Sequence, residues 1–367
     1  MKILKQKKMK RLICKSGIVF VTALLLTTGA LLSQEVSKEY HKEYNAGPNT
    51  TLDVSNRYGD VFIETWDQNK IVIDVKVTVA LPSRERAEKL MSYIDVIFEE
   101  KGDVISARTV IDDRFTFSGW GSPSRRFSID YKIKMPESTN LALANRYGNA
   151  DLYDLSGLVR IDIKYGNLIA GNLKRGDEKP VNSLNIAYGK AEIKSVGWLD
   201  LTARYSGEIN IIKGQAVLLD SRYSKIKLGE ISSLVADSKY DNIRIEKINN
   251  LVLSCGYDDV VVGTLNRKLK VEGSYGSFTA EQISKSFESI DVDTRYIGVR
   301  LGIDSNASYE INARLSYGSL KYDENNIKVN RRIIQNTSTE ISGIIGNENS
   351  PVSKVNISSS YGTVRLD

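Results

Sequence analysis

One short phrase recurs along this chain and restricts its fold more than any other feature. It is centred on a tyrosine: NRYGDVFI, NRYGNADL, IKYGNLIA, IAYGKAEI, ARYSGEINI, SRYSKIKL, SKYDNIRI, CGYDDVVV, GSYGSFTA, TRYIGVRL, LSYGSLKY and SSYGTVRL. Twelve of the 19 tyrosines lie in it: Tyr58, Tyr147, Tyr165, Tyr188, Tyr205, Tyr223, Tyr240, Tyr257, Tyr275, Tyr296, Tyr317 and Tyr361. From Tyr147 to Tyr317 the intervals are 18, 23, 17, 18, 17, 17, 18, 21 and 21 residues, too short for a pair of helices per repeat.

Each copy alternates as strands do. Four residues before the tyrosine the position is apolar in all twelve copies, from Val54 and Leu143 through Leu253 to Ile357. Three residues after it the position is apolar in eleven; the exception is Glu208, where Gly207 adds a residue and Ile209 takes the slot, which reads as a one-residue bulge. Apolar residues return five positions after the tyrosine (Ile63, Leu228, Val262) and eight after (Leu155, Ile231, Leu265). Period-two alternation puts these on one face. A coil this short cannot bury that face alone, but coils stacked about 4.8 Å apart can. The expectation is an all-β chain, a β-solenoid (β-helix) with coils of about 17–21 residues and a small helix-containing insertion near its N-terminal end. Gly follows the tyrosine in seven of twelve copies, where a corner would need positive φ or close backbone approach. Tyr-Gly therefore reads as a corner and the tyrosines as a stacked ladder along one edge; aromatic platforms for sugar rings are the functional alternative.

The residue before the tyrosine is often basic, as at Arg57, Arg146, Lys164, Arg204, Arg222, Lys239 and Arg295. Two positions earlier, on the same strand face, stand Asp162, Asp220, Asp237, Glu272 and Asp293. The pattern reads either as a solvated ladder of alternating charges or as a polar strip for an acidic or zwitterionic glycan. Cys255, two residues before Tyr257, falls in a slot elsewhere held by Ala203, Ser221, Ser238, Gly273 and Thr294, so a small, inward, reduced thiol is expected.

The net charge of +6 is local to the start of the chain. Residues 1–34 carry seven basic residues and no acids, which leaves 44 basic against 45 acidic in the rest, and no bulk reason to seek nucleic acid. Lys2 to Lys15, then the apolar run Gly17 to Leu32, then Ser33 and Gln34 have the layout of a secretory signal peptide, with Met9 an alternative start and an uncleaved N-terminal anchor the alternative reading. Export is expected, to a bacterial periplasm, outer surface or medium, with no transmembrane domain after cleavage. Cys14 precedes the apolar run and cannot be a lipoprotein cysteine. The remaining Cys255 and the single His41 leave no ligand set for a metal and no Cys/His nucleophile pair, and no cofactor is expected.

The Tyr58 copy is followed by an insertion. DVFIETW and KIVIDVKVTVA read as strands, SRERAEKLMSYIDVI as one amphipathic helix through Ala87, Leu90, Met91 and Ile94, and two strands near Val104–Ile111 and Phe127–Met135 follow. Such a unit would cap an open sheet edge. The loop FTFSGWGSPSRR between those strands, with Phe117, Trp120, Arg125 and Arg126, is the best candidate contact surface besides the row holding Arg222, Lys239 and Arg295. The expected organisation is a leader over 1–34, first solenoid strands over 45–80, an α+β insertion or cap over 81–140, central repeats over 141–323, and an irregular segment with a final coil over 324–367.

LDVSNRYGDVFIETW, the helix-containing insert, and YKIKMPESTNLALANRYGNADLYDLSG followed by serial coils resemble the bacterial putative adhesin family of β-strand-repeat exported proteins, related to autotransporter-adhesin head (GIN) domains. The resemblance spans roughly residues 45–367 and implies a β-solenoid at the cell envelope or surface, with a glycan or a surface or matrix protein as partner. It implies no catalytic residues. Ser224, Asp241 and Asp258 depart from the family's glycine after the tyrosine. Three classes of function stay open: a non-enzymatic binding scaffold, a periplasmic signalling or assembly partner, and a carbohydrate-active β-helix enzyme. The last needs clustered carboxylates, for which Asp258–Asp259 beside Asp241 is the only local group among the coils from Tyr205 to Tyr275.

Overall fold

A computed structural model describes residues 34–117 and 126–367; the leader, and Trp120 and Arg125 in the loop after Phe117, lie outside the described residues. The described residues are all-β, one hydrogen-bonded sheet of 23 strands with a single short α-helix. Its first part runs β1 (Gln34–Asn45), β2 (Thr51–Arg57), β3 (Val61–Trp66), β4 (Lys70–Leu81), α1 (Arg84–Met91), β5 (Ile94–Lys101), β6 (Val104–Ile111) and β7 (Arg126–Pro136). The serial copies supply β8 (Asn140–Arg146), β9 (Ala150–Leu152), β10 (Val159–Lys164), β11 (Leu168–Leu173), β12 (Asn182–Ala187), β13 (Ala191–Arg204), β14 (Ile209–Arg222), β15 (Lys225–Lys239), β16 (Asn242–Ile283), β17 (Ser289–Ile303), β18 (Tyr309–Ser316) and β19 (Ser319–Lys321). A 3-10 turn, Glu324–Asn326, precedes β20 (Ile327–Ile334), β21 (Ser338–Ile345), β22 (Ser353–Ser360) and β23 (Thr363–Leu366).

Equivalent residues of successive copies pair in parallel and in register. Before the tyrosine, Val54 faces Leu143, then Ile161, Leu184, Leu201, Leu219, Ala236 and Leu253 in turn. After it, Val61 faces Ala150, then Leu168, Ala191, Ile209, Ile226 and Ile243. Because Ile209 and not Glu208 pairs with Ala191, Gly207 is the extra residue expected from the sequence. All twelve residues four before a tyrosine are buried, as are the named rows three, five and eight after. One continuous core results, since each copy's apolar row rests on the next.

The two ends are closed differently. At the first, β6 pairs in parallel with β2 and β7 with β3, so the insertion lays one more layer on the Tyr58 copy. Antiparallel partners then finish each half, β5 on β6, and β4 with β1 on β7. Strand β5 stands where the sequence suggested the end of a helix: Ile94 continues the helical spacing of Ala87, Leu90 and Met91, but α1 stops at Met91 and Ile94 and Val96 are buried as alternate strand residues. Strand β1 has no alternating signature in the sequence, because Val36, Tyr40 and Tyr44 recur every four residues and the residues between are polar.

At the other end, chain order and spatial order part. Strand β22 lies between β17 and β18, pairing in parallel with both, and β23 lies between β17 and β19. The last copy in sequence is thus inserted beneath the Tyr317 copy, and the long interval before Tyr361 is occupied by β21, which pairs antiparallel on β18, and β20, which pairs antiparallel on β21. Among the described residues no helix is long and apolar enough to cross a membrane.

Candidate functional site

The corners after each tyrosine carry the surface features that recur along the molecule. All twelve tyrosines have φ between 50° and 63° and are the only non-glycine residues with positive φ among those described. Of the two reasons the sequence offers for the glycine, close backbone approach is the one that applies at most corners, because the left-handed residue is the tyrosine itself. A Cβ on Gly148 would stand 1.9 Å from the Gly59 carbonyl oxygen, and one on Gly166 would stand 1.8 Å from that of Gly148. Glycine is there so that consecutive corners can touch.

The left-handed conformation costs an L-residue about 1–2 kcal/mol, which the ladder offsets in part. Consecutive rings lie 4.7–5.3 Å apart in eleven stacked pairs running from Tyr58 through Tyr296 to Tyr361 and Tyr317. Isolated rings prefer offset or edge-on contact, but identical residues on strands about 4.8 Å apart are brought face to face. Since the rings cover one another's faces, what reaches solvent along the column is edges and hydroxyls. Sugar rings cannot lie flat along its length. At its first end Phe127 leans on Tyr58, with centroids 5.6 Å apart, and Phe115 and Phe117 pack on Phe127.

Beside the tyrosines the basic row is zipped to the acidic one across copies. Arg204 bonds Asp220; Arg222 bridges Asp220 at 3.0 Å and Asp237 at 2.9 Å. Other cations lie over rings: Lys239 is 5.4 Å from the Tyr240 centroid, and Arg295 is 5.3 Å from that of Tyr296 and 5.9 Å from that of Tyr361. The structure therefore places Arg222, Lys239 and Arg295 in one strip, and separates them from Arg126, which pairs with Glu35 near the opposite end.

Inside the corners of the middle copies is a polar column. The Ser206 amide donates to Ser224 Oγ at 3.1 Å, the Ser224 amide to Asp241 Oδ1 at 2.6 Å, and the Asp241 amide to Asp258 Oδ1 at 2.7 Å. Asp258 Oδ2 also accepts from Ser238 Oγ and from the Gly256 amide, each at 2.8 Å. Burial pushes the Asp241 carboxyl up to about 6, with the nearby Asp258 adding to the rise, and burial raises Asp258 as well. Asp259 stays exposed on the outer face. The acidic group noticed in the sequence is thus two inward carboxylates holding backbone amides plus one outward one. Cys255 is half-buried and free, and burial pushes its thiol up to about 12. His41 is on the surface of β1, where hydrogen bonds to Asp74 (2.6 Å) and Glu43 raise its pKa. Among the described residues no group of three or more His, Cys, Asp or Glu side chains is placed to hold a metal ion.

No protein-family model and no curated protein matches the chain. Solved structures similar to it include a putative adhesin from Bacteroides fragilis, at 11% identity over 90% of this chain and 97% of that one, with a TM-score of 0.30. A putative cell adhesion protein from Clostridium sporogenes is 10% identical over 90% and 99% of the two chains, with a TM-score of 0.22. A putative lipid binding protein from Parabacteroides distasonis is 10% identical over 90% and 97%, with a TM-score of 0.24, and superposition at this level bears on neither ligand nor compartment.

Proposed function

We propose that the chain is a non-enzymatic binding scaffold of the cell envelope, exported by its first 34 residues. Its copies wind as a β-solenoid, and the outer corner strip engages an extended partner, a glycan or a surface protein. The observation that carries this reading is the in-register column of twelve tyrosines with Arg222, Lys239 and Arg295 beside it, which repeats one small set of contacts at a pitch of 4.7–5.3 Å. Repetition at fixed pitch suits a polymer or an extended chain, because many weak contacts then add. Against catalysis stands the use of Asp241 and Asp258, whose carboxylates point inward and are engaged by backbone amides. The test is protease shaving of intact cells expressing an epitope-tagged copy, with a periplasmic protein as internal control. Loss of the tag with the control intact is the expected result. Protection until the outer envelope is opened would sink surface display and favour a periplasmic assembly partner.

A further inference from the structure

We infer that the depression beside α1 binds a single-tailed anionic amphiphile: a carboxylate or phosphate monoester on an apolar chain. The depression measures about 420 Å³ and is distinct from the tyrosine column. That volume lies within the roughly 300–1,000 Å³ of small-molecule sites. Leu90, Tyr93 and Phe117 give it an apolar wall, and Arg86, Lys89 and Arg114 surround it.

Charge decides the class of ligand. Each of four other depressions on the molecule is lined by at least one carboxylate, Glu272, Asp237, Glu230 and Asp74 among them, whereas among the described residues none lines this one. Of the neighbouring acids, Asp112 takes Arg114 by both oxygens, at 2.8 and 2.7 Å, and Glu88 takes Arg84 at 2.8 Å, while Glu85 and Asp113 are exposed and do not line the depression. Arg86 and Lys89 are exposed and in no ion pair among the described residues. They sit three residues apart on one helix face with Leu90, so their charges repel at a cost of a few tenths of a kcal/mol. An anion between them would relieve that cost while its tail covers Leu90, Tyr93 and Phe117.

The apolar wall is positioned before any ligand arrives. Arg114 lies over the Tyr93 ring at 5.0 Å, and Phe117 packs on Phe127 with centroids 5.7 Å apart, at the base of the tyrosine column. Neither ring has to be ordered on binding, which lowers the entropic cost of association.

The experiment is calorimetric titration of the full chain with dodecyl phosphate, dodecyltrimethylammonium and inorganic phosphate, all below micelle-forming concentrations. Dodecyl phosphate should bind with one site, and the other two at least about tenfold more weakly. The double variant Arg86→Ser, Lys89→Ser should lose about tenfold or more in affinity for dodecyl phosphate. Its melting temperature should be unchanged, because both side chains are exposed. Equal affinity for the alkyl cation, or an unaffected double variant, would overturn the inference. Flotation with phosphatidylglycerol vesicles separates the sources of such a head group: adsorption to vesicles without uptake of free dodecyl phosphate would mean a charged surface and no pocket.

Discussion

The corners at Tyr147, Tyr165 and Tyr188 and those at Tyr205, Tyr223, Tyr240 and Tyr257 share backbone conformation and ring stacking yet give side-chain acceptors to different amides. In the first group Gly148, Gly166 and Gly189 bring consecutive corners into backbone contact, and the hydrogen bonds are made outside. The Asn149 amide donates to Asp60 Oδ1 at 2.7 Å, the Asn167 amide to Asn149 Oδ1 at 3.0 Å, and the Lys190 amide to Asn167 Oδ1 at 3.1 Å, so each later copy donates to the earlier. In the second group the amide one residue after the tyrosine gains an inner acceptor: Ser206, Ser224, Asp241 and Asp258 turn inward, and each earlier copy donates to the later, while the following amide still donates to the earlier copy through its backbone carbonyl, as Lys225 does to Ser206 at 3.2 Å. The bulge at Gly207 stands at the changeover. A buried amide must be paired, but the stack accepts either an outer acceptor over a bare corner or an inner acceptor that fills it.

The largest expected effect breaks the first type of corner. Gly166→Ala places a methyl 1.8 Å from a backbone carbonyl that cannot turn aside, and should cost about 3 kcal/mol in chemical denaturation. Gly207→Ala meets only the flexible Lys190 side chain, at 3.3 Å, and should cost less than about 0.5 kcal/mol. If the two cost the same, close approach is not the reason for glycine. Next, Asp258→Ala strips the acceptor from the Asp241 and Gly256 amides inside the core and should cost about 2–3 kcal/mol. Asn149→Ala leaves its donor at the exposed surface, where water replaces it, and should cost about 1 kcal/mol or less. Equal losses would dissolve the distinction between inner and outer acceptors.

Titration sharpens the same contrast. Asp241 releases its proton near 6 when folded and near 3.8 when unfolded, so between those values the folded chain holds more protons and stability falls as pH rises. That rise corresponds to a deficit above pH 6 of about 3 kcal/mol at full effect, and about 2 kcal/mol after screening by solvent. Comparing melting of the native protein with Asp241→Asn from pH 4 to 7 should show a gap that widens with pH in favour of the variant; a constant gap would mean that Asp241 does not titrate there. Its charged neighbours in this window are Asp258, which opposes ionisation, and Arg222, which favours that of Asp258. Smallest of all, Arg222→Ser should move stability by about 0.5 kcal/mol or less, because its ion-pair partners Asp220 and Asp237 are 46% and 65% exposed. A large loss would make the charge strip a structural element rather than a surface.

Much of this is legible in the residues themselves. The apolar rows at fixed offsets from each tyrosine are buried as their alternation requires, the bulge at Gly207 is where Glu208 breaks the pattern, and the ladder follows from one residue type repeated at a coil's length. Less legible was the division of labour within Tyr-Gly, because a left-handed tyrosine runs against the steric preference that assigns such positions to glycine, and it is the stacking between copies that offsets part of that cost. Edge strands β1 and β5 are faint in the sequence because a strand with one wet face and a free edge can carry charge at most positions.

Local alternation thus determined which side chains turn inward and that successive copies must lie on one another, since no copy could bury its own apolar row. Only tertiary structure decided the order of the copies and how the ends are closed. All copies present nearly the same edge, so nothing local distinguishes the neighbour of Tyr296; the β20–β21 excursion places Tyr361 there and Tyr317 beyond it. Pairing between identical edges is settled by which ends remain to be covered, a property of the whole stack and of no single copy.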